Sequence, residues 1–216
     1  SDLPPGITVQ SKFHHAPEDD ARFVAAHDIF AKLNTAIATQ GLQIHVAEDL
    51  DAGAPLHAVF VSAHIGQDLA IHYRHNIKLG KNSKLDLVEH HLSQDSQQHL
   101  VNTLSDISLQ DGAELSHARI QQDDAGNSQF LRTEAALQSH AVYHRLDLEL
   151  GAHLSRHDLQ VKLLGDGSSV YANGSLIASG RRHIDTRLDI QHIAKNTSCN
   201  LLWRGLATDR GRAVFH

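Results

Sequence analysis

The sequence contains no methionine, one cysteine (Cys199), one tryptophan and four prolines, and aromatic residues make up only 5% of it. Each scarcity excludes something. One cysteine cannot close an internal disulfide, and one thiolate cannot supply the four-sulfur ligation usual for an iron–sulfur cluster. No apolar run approaches membrane-spanning length, and the first residues lack the basic-then-apolar layout of a secretion signal. The expected location is therefore the cytoplasm. Basic residues are outnumbered, 19 Lys and Arg against 25 Asp and Glu, for a net charge of -6. No Lys/Arg cluster dominates any stretch, so nucleic acid and anionic membrane are poor partners. The chain starts Ser1-Asp2-Leu3-Pro4-Pro5 and stops at Arg212–His216 inside a strand-like run. It reads as a fragment of a longer protein.

What is plentiful is apolar side chain, at 41%, with 20% charged, enough for a packed core. Histidine is in excess, with 19 copies. One helix is legible from Glu18 to Ala38, where Phe23, Ala26, Phe30, Leu33 and Ile37 fall at helical spacing. Pro17 fits its start and Gly41 its stop. Strands are expected at Leu42–Val46 and over residues 56–63. Beyond about residue 65 short strand-like runs recur, with starts at 85, 100, 115, 130 and 142 lying 12 to 15 residues apart. Leu146-Asp147-Leu148-Glu149-Leu150 and Leu159-Gln160-Val161-Lys162-Leu163 alternate with period two. Turn signals separate the runs, among them Asp111-Gly112, Gly151, Gly165-Asp166-Gly167 and Asp209-Arg210-Gly211. Evenly spaced short strands fit an antiparallel sandwich or barrel, or a β-solenoid, and the pattern alone does not separate them. The likeness of Gly112–His117 to Gly151–Arg156 points towards stacked repeats.

A search for chemistry finds little. The close histidine pairs are His14-His15, His72/His75, His90-His91, His140/His144 and His153/His157. Positions four apart on a strand lie roughly 13 Å apart, too far to share a metal, so these are expected to be surface histidines. There is no His-x-His, no His-Glu-x-x-His and no Gly-x-Ser-x-Gly. Gly165-Asp166-Gly167 has Val170 where a dinucleotide fingerprint needs its third glycine. Gly80–Ser83 lacks the first glycine of a phosphate loop, having His75 there. Cys199 is expected to be a buried strand residue. The acid pairs Asp19-Asp20 and Asp123-Asp124 are expected to serve a helix start and a turn. No catalytic, cofactor-binding or metal-ligating residue is assigned.

Two stretches carry a family resemblance. The first is Phe30-Ala31-Lys32-Leu33-Asn34-Thr35-Ala36-Ile37, then Gly41, Ile44-His45-Val46 and Pro55-Leu56. The second runs from Leu164-Gly165 through Gly174, Gly180, His183-x-Asp185, His192, Ser198 and Gly205 to the Asp209–Phe215 stretch, with Val88-Glu89-His90-His91 also fitting. In this order they resemble the SufB/SufD family of iron–sulfur cluster assembly proteins, nearer to the SufD branch. The resemblance implies a mainly β chain: a right-handed parallel β-helix over residues 66–216, after a small α/β lead-in over 1–65 with its helix at about 18–38. It implies a non-catalytic scaffold working with SufB-like and SufC-like subunits and supporting iron acquisition. No stable cofactor is implied for this chain; the cluster would be assembled transiently by the full complex. The family's C-S-H-G motif and helical tail lie beyond Phe215, so Cys199 and His216 inherit no role. On this reading the last rung exposes apolar side chains from Cys199–Leu206 and Ala213–Phe215. The stretch then frays or self-associates there, and does not bind SufC by itself. The rival from another class is a β-helix enzyme acting on polysaccharide, which needs acids gathered along an outer groove.

Overall fold

The computed structural model describes residues 3–12, 29–62, 66–93 and 98–216. Within them lie one helix, α1 (Ile29–Ile37), and fourteen strands. In chain order these are β1 (Ile7–Lys12), β2 (Gln40–Val46), β3 (Leu56–Ser62), β4 (Ala70–Leu79), β5 (Lys84–Ser93), β6 (Leu100–Leu109), β7 (Glu114–Gln122), β8 (Ser128–Leu137), β9 (Val142–Glu149), β10 (Leu154–Leu163), β11 (Ser169–Ala178), β12 (His183–His192), β13 (Ser198–Ala207) and β14 (Arg212–Phe215). From β2 onward successive strands alternate between two sheets. One has the order β1-β2-β4-β6-β8-β10-β12-β14 and the other β13-β11-β9-β7-β5-β3. Apart from the antiparallel β1–β2 pair, all pairing is parallel. The result is a parallel β-solenoid of about six turns, and the sandwich alternative is excluded. The 12- to 15-residue spacing is half a turn, because each turn spends one strand in each sheet.

Register is held without slip by like-on-like stacking. Leu79, Leu109, Leu137 and Leu163 form one ladder, and Ile77, Ile107, Ala135 and Val161 the next. Opposite them stand Leu85, Leu115, Tyr143 and Val170. All twelve are buried in one core. A one-residue slip would turn every such row out to water, so the period-two pattern specifies the register. The corners are equally tight. A Cβ at Gly165 would overlap the backbone of Gln138 and Ser139 in the turn stacked against it.

The predicted helix is present in its second half, ending at Ile37; residues 18–28 lie outside the described residues. Its buried face differs from the expected one. Leu33 and Ile37 are exposed, whereas Ala31 and Asn34 are buried. Asn34 sets the orientation: its Nδ2 donates to the carbonyls of Tyr73 and Asn102, both at 2.9 Å. Those carbonyls lie on adjacent strands, so one amide pins α1 to the larger sheet. Arg74 helps, donating from Nη1 to Thr35 Oγ1 at 3.0 Å. β4 runs to Leu79, beyond the Leu69–Tyr73 stretch legible in the sequence, because β2 and β6 pair with it as far as that residue. Arg74 and Asn76 point outward yet are buried.

At the other end β13 and β14 are edge strands. Leu201, Leu202, Leu206 and Phe215 are exposed, as expected of that rung. Cys199 is exposed as well, not buried as its strand position suggested, because no further strand covers β13 among the described residues. No helix of the described residues is long and apolar enough to cross a membrane.

Candidate functional site

The interior of the solenoid has two halves of opposite character. The ladders above fill one half with aliphatic side chains. The other half lies between the C-terminal ends of β5, β7 and β9 and the N-terminal ends of the facing strands, and it is polar and charged. Glu89 and His91 on β5, His117, Arg119 and Gln121 on β7, and Arg145, Asp147 and Glu149 on β9 all point inward and are buried. Parallel register stacks them in rows. Glu89, Arg119 and Asp147 form a ladder of alternating sign, beside Leu87–His117–Arg145 and His91–Gln121–Glu149. From the larger sheet His75, Gln129, Thr133, Ser155 and His157 face them, all buried.

Buried charge is tolerable only when paired and hydrogen-bonded. Arg145 binds Asp147 with both arms of its fork, Nε to Oδ2 at 2.9 Å and Nη2 to Oδ1 at 2.6 Å. Its third nitrogen, Nη1, lies 2.8 Å from His117 Nδ1. Arg119 donates to Glu149 Oε1 at 3.0 Å and to Gln129 Oε1 at 2.7 Å, and Ser155 Oγ donates to Glu149 Oε2 at 2.6 Å. Glu89 lies 3.0 Å from His117 Nε2 and 3.2 Å from His91 Nε2. Gln129 also bonds Asp123, which Gln121 approaches at 3.3 Å.

These partners set the charge states. Burial by itself would push the carboxyls of Glu89, Asp147 and Glu149 up. It is outweighed by the histidines around Glu89, by Arg145 beside Asp147 and by Arg119 beside Glu149, and all three are held below the usual carboxylate range. Burial pushes His75 down to about 4, although Glu89 pulls the other way. Burial and then the Arg145 guanidinium push His117 down. Burial lifts the Tyr143 hydroxyl to about 12 and raises Asp123. The interior therefore holds fixed ions, with His75 neutral at pH 7.

The structure revises the reading of the histidines. His75, His91 and His157, expected at the surface, are buried. The reason is alternation: each stands at an inward position of its strand. His90 does stay on the outer face, its Nε2 3.1 Å from His57 Nδ1. His140 and His153 are exposed, and His144 stacks on Tyr171. His14-His15 and Asp19-Asp20 lie outside the described residues. Of the second acid pair, Asp124 serves the turn as expected, accepting from Gly126 N at 3.0 Å, while Asp123 is turned inward and buried. Gly165–Gly167 and Gly80–Ser83 are turns, as expected.

One grouping was invisible to spacing along single strands. Asp147 and Glu149 on β9 meet His157 on β10 across the interior, with one ligating atom from each within 4.8 Å of the others, and all three buried. A groove of about 780 Å³ beside α1, on the outer face of the larger sheet, offers less. Arg132 is paired with Glu134 there, and Arg156 with Asp158. The groove mixes Arg132, Arg156 and Arg187 with Asp158 and Asp189, which does not favour the outer acidic groove of a polysaccharide-active enzyme.

Comparison with known proteins supplies what geometry cannot. Residues 60–216 match the family described as SUF system FeS cluster assembly, SufBD core domain. The chain is 24% identical over 230 residues to an iron–sulfur cluster assembly SufBD family protein of Synechocystis sp., an alignment covering 100% of this chain and 51% of the relative. It is 22% identical over 191 residues to the iron–sulfur cluster assembly protein SufD of Escherichia coli (strain K12), covering 88% of this chain and 45% of that protein. The chain thus spans about half the length of the curated relatives it matches. The chain belongs to the SufBD core family of the SUF iron–sulfur cluster assembly system.

Proposed function

We propose that this chain is the solenoid core of a SufD-like, non-catalytic scaffold subunit of a cytoplasmic SUF complex. Its partners are a SufB-like and a SufC-like subunit, and its role is to support iron acquisition while the cluster is assembled by the whole complex. The observation that carries this reading is the family match over residues 60–216, which coincides with the in-register solenoid. The disposition of the ionisable groups supports it. Inside the solenoid they are tied into mutual ion pairs. The test is co-expression of the full-length protein with SufB-like and SufC-like subunits. One stable complex is expected. Deleting this subunit should lower cluster content on the SufB-like partner without abolishing the ATPase activity of the SufC-like one. Purification of the protein alone, with cluster assembly unaffected by its deletion, refutes the proposal.

A further inference from the structure

We propose that Asp147, Glu149 and His157 form a site for one divalent first-row transition-metal ion, enclosed between the two sheets of the solenoid. The inference goes beyond the scaffold role and does not rest on it. It departs from the sequence expectation of no metal site, which considered only spacing along one strand. Here the ligands come from facing strands of opposite sheets.

The argument starts with His157. Its ring is fully buried, and its Nδ1 has no hydrogen-bond partner. That nitrogen lies 3.6 Å from Glu149 Oε1 and 3.8 Å from Asp147 Oδ1. Both separations are too long for a hydrogen bond. They are close to the spacing of two ligands on one ion: metal–ligand distances of about 2.1 Å at tetrahedral angles place ligand atoms about 3.4 Å apart. The other ring nitrogen, Nε2, lies 3.3 Å from Thr133 Oγ1. With its proton on Nε2, bound to Thr133, the ring turns a bare lone pair towards two carboxylate oxygens. Three ligating atoms then lie within 4.8 Å of one another, the two oxygens each also held by an arginine. A cation between them satisfies the bare lone pair, and a partner on the far nitrogen is the usual support of a metal-bound histidine.

The arginines hold the carboxylates in place: Arg145 grips Asp147 and Arg119 grips Glu149. Each carboxylate oxygen keeps a second lone pair for the ion. Two carboxylates and one imidazole are a hard-to-borderline set suited to Mn²⁺, Fe²⁺ or Zn²⁺ rather than to soft Cu⁺.

The probe is Mn²⁺, which prefers carboxylates and therefore discriminates against the exposed His57/His90 pair. The purified full-length protein is incubated with Mn²⁺ and dialysed, and bound metal is counted by electron paramagnetic resonance. One ion per chain is expected, and pulsed spectra should show one directly coordinated imidazole nitrogen. His157→Ala should lose the ion, whereas His57→Ala should keep it. Thr133→Val, which leaves all three ligands in place, should weaken binding about 10- to 100-fold. Circular dichroism of each variant confirms the fold. No retained Mn²⁺ in the wild-type protein, bound Mn²⁺ without the nitrogen signal, or binding unchanged in His157→Ala overturns the proposal. The nitrogen signal is read on the wild-type protein, so the test survives even if a variant fails to fold.

Discussion

Replacing Arg145 with Met would remove the cation that holds Asp147 while leaving a side chain of similar length in the interior. Both side chains are almost completely buried, and the pair is bidentate. Two unit charges about 4 Å apart attract by about 4 kcal/mol at an effective dielectric of 20. Breaking a buried pair from one side typically costs about 3–5 kcal/mol, because the surviving charge stays desolvated. Arg145→Met should therefore lower unfolding free energy by about 4 kcal/mol at pH 7.5. The loss belongs to the orphaned carboxylate rather than to the missing contact. Arg145→Met/Asp147→Leu should accordingly recover most of it. The single variant should also regain part of its deficit at pH 5, where an unpaired Asp147 takes up a proton. Urea titrations followed by far-ultraviolet circular dichroism, in EDTA so that metal does not contribute, measure all three. A single variant within about 1 kcal/mol of wild type, or a double variant less stable than the single one, would refute the view of the interior as paired ions.

The remaining predictions concern pH, the helix and the corners. His75 is held neutral to about 4, against 6.5 when unfolded, so the unfolded chain binds its proton first. The stability this confers is complete above pH 6.5 and is lost as pH falls towards 4, by about 3 kcal/mol. His117 acts in the same direction and Asp123 against it; Glu89, Asp147 and Glu149 extend the loss below pH 4. Urea midpoints between pH 7.5 and 4.5 should fall steadily, and His75→Asn should flatten the slope. Asn34→Ala removes two hydrogen bonds to strand carbonyls and should cost about 2 kcal/mol. Hydrogen exchange should then show α1 amides losing protection before those of the sheets. Gly165→Ala forces a Cβ into the backbone of Gln138 and Ser139 and should cost about 3 kcal/mol in thermal or urea unfolding.

The solenoid was legible in the sequence to the extent that local chemistry dictates it. Period-two alternation gave the strands, and Gly165-Asp166-Gly167 and Asp209-Arg210-Gly211 marked corners, with Gly167 and Asp209 at positive φ. Four of the residues that carried the family resemblance prove to be structural. Asn34 fastens the helix. Gly165 and Gly211 sit where a Cβ would meet neighbouring backbone, and Gly174 lies where one would overlap the Trp203 ring. Such requirements are short-range and fixed by backbone geometry, so they leave a pattern that survives in sequence. The helix face was misread because a buried amide outranked Leu33 and Ile37.

The charged interior was not legible, and the reason is general to parallel solenoids. Along β9 the sequence reads Arg145-Leu146-Asp147-Leu148-Glu149, which by itself looks like a strand with its polar face in water. Alternation says that Arg145, Asp147 and Glu149 share a face; it cannot say which face is inside. The aliphatic residues between them would ordinarily decide, yet here Leu146 and Leu148 face outward and the ions face inward. What tips the balance is the stacking partner one turn away. Arg119 stands between Glu89 and Asp147, and Arg145 is level with His117. Inward burial becomes tolerable because opposite charges pair within β9, Arg145 with Asp147, and diagonally between successive turns, Arg119 with Glu149, 30 residues apart in sequence. A period-two analysis of one strand is blind to that separation. Comparing charge signs at the turn period, with β5, β7 and β9 aligned on the Leu85–Leu115–Tyr143 row, exposes the ladder Glu89–Arg119–Asp147. Like charges at those positions would be destabilising as direct cross-strand neighbours, so the alternation of sign is the feature by which sequence can specify an ionic interior.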